Sequence, residues 1–113
     1  MKPLISIACI LLLTGCSSAA YLRDQPASLD GSSDKSPAAL AQCVHDQWAR
    51  HGIESDIISE GSGNSSVRVP RALGGYQVLL DVKAASQGSD FSLHERLAHL
   101  TSVVFENGVA FCK

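Results

Sequence analysis

Aromatic residues and charge are both scarce in this chain. Trp, Tyr and Phe make up 5% of 113 residues, and Asp, Glu, Lys and Arg 18%. So little charge, beside 45% hydrophobic residues, excludes a chain held open by self-repulsion and a collagen-like repeat. No surplus of positive charge exists: 9 Lys and Arg stand against 11 Asp and Glu, a formal charge of −2. That excludes the basic footprint of a nucleic-acid binder. The longest apolar run is short of the roughly 20 residues that cross a bilayer as a helix. There is no Cys-x-x-Cys for a metal or redox pair, and no Gly-x-Ser-x-Gly nucleophile turn. The length leaves room for one small domain, not for a multi-part enzyme fold.

What is present begins at the N-terminus. Lys2 precedes the apolar run Leu4 to Leu13, broken only by Ser6, and small residues follow it. A short buried core helix would give a similar run. A charged residue in front and a small-residue end fit a signal-peptide hydrophobic region better. The run closes on Leu13-Thr14-Gly15-Cys16, which resembles the lipobox of bacterial lipoproteins. The resemblance implies removal of residues 1–15, a diacylglyceryl group on the Cys16 thiol and an acyl group on its new amino terminus. It implies no other cofactor. Several acyl chains on one residue make a firm membrane anchor. Ser17, rather than Asp, after the cysteine is similar to the pattern sorted to the outer membrane, facing the periplasm. Without Lys2 the chain from Cys16 onward carries 8 basic against 11 acidic residues, a formal charge of −3.

Of the four cysteines, Cys9 leaves with the leader and lipid consumes Cys16. Cys43 and Cys112 remain, in an exported and oxidising compartment, where a disulfide is the natural state. Two free buried thiols are the rival reading. A metal pair lacks the spacing.

Residues 16–36 read as the lipidated cysteine and a flexible tether, since Ser, Ala, Asp, Gly and Pro dominate without an apolar period. Residues 37–113 read as a single α+β domain. Ser36 is a good N-cap and Pro37 a good first helical residue. Leu40, Val44 and Trp48 then form one stripe, with Cys43 at its border. Asp46 and Arg50 are spaced to pair, and Gly52 to stop the helix. Ile53 to Ser59 predicts a weak strand. Val67 and Val69 alternate with polar neighbours up to Pro70. Tyr76, Val78, Leu80, Val82 and Ala84 share one face of the clearest strand, with Leu79 hinting that the other face is partly covered.

The last quarter supports two readings. In one, Ser92 and Glu95 form a capping box and Leu93, Leu97, Leu100 and Val104 a helical stripe. In the other, Phe91 to Leu97 is a strand and a helix spans about Ser102 to Cys112. The second is similar to small proteobacterial lipoproteins of unknown function: Cys43 five residues before Trp48, Asp81-Val82 on a strand, Gly88-Ser89 at a turn and Cys112 beside the end. Asn107-Gly108 inside the last helix departs from that pattern, at ~1 kcal/mol for the glycine. Both readings predict an antiparallel sheet of three to four strands, packed against an N-terminal and a C-terminal helix and tied by one disulfide.

Chemistry-bearing residues are sparse. The histidines are His45, His51, His94 and His99. The His94–His99 spacing of five is one too long for a zinc-binding helix face, so solvated histidines are expected and no metal. Gly61-Ser62-Gly63 lacks the lysine of a phosphate loop. Asp81 and Glu95 could meet on a sheet surface, but read as a wet face. Trp48 reads as a core anchor. Arg68, Arg71 and Lys83 are too few to imply an anionic partner. The expectation is a non-enzymatic lipoprotein that binds a protein or envelope component, an inhibitor or immunity protein being one form. The alternative is a small envelope hydrolase or ligand carrier using Asp81, Glu95 or His94.

Overall fold

The computed structural model describes residues 18–96 and 103–113. Among these the chain order is α1 (Ala19–Asp24), β1 (Leu29–Ser33), α2 (Pro37–Arg50), β2 (Asp56–Ser59), β3 (Ser65–Pro70), β4 (Tyr76–Ala84), β5 (Ser89–Glu95) and α3 (Val104–Cys112). The five strands form one antiparallel sheet ordered β1-β5-β4-β3-β2. Strands β2 to β5 form a meander. β1 lies on the far edge, so α2 carries the chain across the sheet from β1 to β2.

Local chemistry sets α2. The Ser36 hydroxyl accepts the Ala39 N–H at 3.2 Å, Pro37 opens the helix and Gly52 (φ +77°) ends it. Leu40, Ala41, Val44 and Trp48 are all fully buried. They pack on Val67, Val78, Leu80, Val82, Phe91 and Leu93 of the sheet. Asp46 accepts from the Gln42 side chain at 3.0 Å, one turn back, rather than meeting the expected Arg50. Trp48 anchors the core: its indole N–H donates to the Phe105 carbonyl at 3.2 Å, and the two rings meet edge to face at 5.4 Å. The Cys43–Cys112 disulfide, with Cα atoms 5.8 Å apart, ties α2 to the end of α3. Lys35 Nζ donates to the Cys112 carbonyl beside it.

The last quarter follows the strand-then-helix reading. Ser92 and Glu95 lie in β5, so the capping-box helix does not form; Leu97 lies outside the described residues. Two further expectations are corrected. The sheet has five strands, and residues 19–33 hold a helix and an edge strand, not a tether. Only Leu29 of β1 packs on the core, so no alternation was visible. Two residues on in β1, Gly31 pairs with Phe91 and faces its ring, where an added Cβ would stand 3.0 Å from Cζ. α1 has six residues and buries two, Ala19 and Leu22, too few to show a period. They cover Leu79, which is fully buried on the face away from α2, with Tyr76 against the cluster.

Candidate functional site

Strand alternation divides the polar residues of β3 to β5 between two faces. Ser66, Arg68, Leu79, Asp81, Lys83, Ser92 and His94 lie on the α1 face. Glu95, one residue from His94 and opposite Val78, lies on the α2 face and is 5% exposed. Asp81 and Glu95 therefore do not meet, and the three residues of the hydrolase alternative do not converge.

On the α1 face the charges are organised around Arg23. Its guanidinium donates to both Asp81 oxygens at 2.8 Å and to Glu60 Oε1 at 3.0 Å. Arg68 reaches the same Glu60 oxygen at 3.5 Å, donates to Ser66 Oγ at 3.0 Å and lies over the Tyr76 ring. The hydrogen bond to Asp81, with the Asp81 and Glu60 charges, holds the Arg23 pKa above its ordinary value. The stability linked to that raised value is complete at neutral pH and is lost only in strong alkali. A cavity of about 280 Å³ opens beside the cluster, lined by Arg23, Glu60, Asn64, Ser65, Asp81 and Lys83 among others. Two guanidinium groups face two carboxylates, so the cluster is neutral in itself. Both Asp81 oxygens and Glu60 Oε1 are taken up by arginine N–H groups. What the cluster does is clamp α1 across β4.

The histidines do not all follow the expectation of solvation. His94 is 8% exposed, and its Nδ1 hydrogen-bonds with the Gln25 carbonyl at 3.0 Å, because the chain leaving α1 runs over it. His51 is exposed, and His99 lies outside the described residues. His45 is half-buried on α2, with Nδ1 2.7 Å from Ser55 Oγ. This pair borders a hollow of about 540 Å³ lined also by Ala49, Gly52, Ile53, Glu54 and Asp56. A serine–imidazole contact is the start of a nucleophilic site, which further needs oxyanion donors. In this loop the N–H groups of His51, Gly52 and Ile53 already bond to the Trp48 and Ala49 carbonyls. The pair fastens the loop before β2 onto α2.

Sequence reasoning placed Arg23 in a tether and Glu60 beside a turn, and singled out neither. Only Leu79, apolar on a polar face, signalled that something lay over that side. Cys16 lies outside the described residues. No protein-family model, no curated protein and no solved structure matches the chain.

Proposed function

We propose that this protein is a lipid-anchored envelope protein: a non-enzymatic module held by acyl chains on Cys16 at the outer membrane and facing the periplasm, where it binds a protein or envelope component. The observation that carries the reading is the Leu13-Thr14-Gly15-Cys16 motif at the end of the apolar run Leu4 to Leu13. The Cys43–Cys112 disulfide supports it, since such a bond persists in exported proteins and is rare in the cytosol. Arg23, Arg68, Asp81 and Glu60 pair with one another and hold α1 on the sheet, which fits a non-enzymatic module. An inhibitor or immunity protein is one concrete form of such a module.

The test uses the full chain, produced in a Gram-negative host fed an alkyne fatty acid. The expected result is label on the protein, membrane fractionation, and loss of both in Cys16→Ser. Equal fractionation of the two, without label, overturns the anchor. For binding, the membrane-held protein is cross-linked in intact envelopes. A single stoichiometric partner supports the module, and its absence counts against it.

A further inference from the structure

We propose that one end of the domain, built around the β3–β4 hairpin, lies directly against the phospholipid surface that holds the Cys16 acyl chains. The inference rests on the anchor reading and goes beyond it, because it assigns the surface that faces the bilayer.

Strand register defines that end. Pro70 and Tyr76 close the hairpin, and the Arg96 N–H donates to the Gln77 carbonyl beside it at 2.9 Å. Gly52, Ile53 and Glu54, just past α2, line a cavity with Val69, Pro70 and Gln77, which brings the last turn of α2 to the same end. The Trp48 bond to Phe105 sets the start of α3 there too. On the other face, the Tyr21 ring of α1 lies under the Arg96 guanidinium, 5.7 Å from its carbon.

Among the described residues, the exposed large hydrophobic ones are Tyr21, Leu73, Val103 and Phe111. Three of the four belong to this end, and Phe111 alone lies at the other. Leu73 is 92% exposed at the hairpin tip. At the tip the Arg71 N–H donates to the Gly75 carbonyl and the Gly74 N–H to the Arg71 carbonyl. Gly74 and Gly75 have φ +97° and +71°, conformations that side chains resist.

Arg50, Arg71 and Arg96 stand at this end together with Glu54, Asp56, Glu95 and Glu106. Exposed apolar and tyrosine side chains match the boundary of headgroups and acyl chains.

The remaining argument is reach. α1 begins at Ala19, three residues after Cys16. Three residues span at most about 10 Å. Tyr21 contacts Arg96 while Arg23 reaches back to Asp81, so α1 enters the fold from the hairpin end. An anchor this short leaves that end against the membrane.

The experiment places a tryptophan at each end of the lipidated full-length protein, reconstituted in phosphatidylethanolamine vesicles with a minority of phosphatidylglycerol. Native Trp48 is fully buried and supplies a constant background. Leu73→Trp reports on the hairpin, and Gln87→Trp, in the exposed β4–β5 turn, on the opposite end. With lipids brominated near the top of the acyl chain, the expected result is blue-shifted emission and at least about twofold quenching for Leu73→Trp, with none for Gln87→Trp. Vesicle flotation with equal quenching at both positions overturns the orientation alone. No flotation, together with an unmodified Cys16 mass, overturns the anchor reading and the orientation with it.

Discussion

Gly108 offers the sharpest test of how this core is packed. It lies inside α3, where glycine is ordinarily ~1 kcal/mol worse than alanine, so Gly108→Ala should stabilise an isolated helix. The structure reverses that expectation. A Cβ at Gly108 would stand 2.7 Å from Trp48 Nε1 and 2.8 Å from Cδ1. Real Cβ atoms do not approach so closely, and the indole has no room to retreat. It is fully buried, edge-on to Phe105 and bonded to the Phe105 carbonyl. Overpacking of this kind costs about 1–3 kcal/mol. Breaking the indole bond adds about 1 kcal/mol or more, because a buried donor is left unmet. Set against the ~1 kcal/mol propensity gain, Gly108→Ala should lose about 1–3 kcal/mol. In a domain of this size that is a fall of roughly 5–15 °C in Tm. The assay is thermal and urea unfolding of the oxidised protein, with near-ultraviolet circular dichroism of Trp48. Ala110→Gly, at an exposed position of the same helix, is the control and should lose ~1 kcal/mol with the Trp48 signal unchanged. A Gly108→Ala protein that is more stable than the parent, or that keeps the parent Trp48 spectrum, refutes the packing argument.

Two further outcomes follow from the same core and its covering helix. Replacing Cys43 and Cys112 together by alanine opens a loop of 69 residues' separation and should lower stability by about 4 kcal/mol, read as a drop in the urea midpoint; a loss under about 1 kcal/mol would show that the bond closes nothing the packing does not already hold. Leu79→Ala empties the site under α1 and should cost about 2–3 kcal/mol, with amide exchange rising across residues 19–24 while the centre of β4 stays protected; unchanged exchange in that stretch would mean that Arg23 alone holds α1.

Elements whose signal is local were legible in the chain itself. Ser36-Pro37, the Leu40–Val44–Trp48 stripe and Gly52 state where α2 begins, which side it buries and where it stops. The alternation from Tyr76 to Ala84 states β4, and Leu79 within it already showed that the second face was not open to water. Pairing of Cys43 with Cys112 followed from what remained once the other two cysteines were assigned. Where the signal was not local, the reading stopped short. α1 and β1 each contribute only one or two apolar contacts, and their order comes from what they meet: Leu79 and Asp81 beneath α1, the free edge of β5 beside β1. A six-residue helix and an edge strand of Leu, Asp, Gly and Ser have no period to read, since a few buried atoms and a row of backbone hydrogen bonds suffice to hold them.

The strand at Phe91, equally, could not be separated from a helix by pattern alone. Ser92 and Glu95 cap well, and Leu93 and Leu97 suit either period. The vacant edges of β4 and β1 decided it, because they offered a run of backbone partners that a helix would have left unmet. The charge cluster and the apolar end are of this second kind. Arg23, Glu60, Asp81 and Arg68 are drawn from four separate segments. Tyr21, Leu73 and Val103 share one end only because the strand register and the α2–α3 contact bring them there. Composition and motif determined the main elements and are the ground of the proposed anchor. Which charges are neutralised, and which apolar residues stand together, was set by tertiary contact, since both are properties of distance in space and not of spacing along the chain.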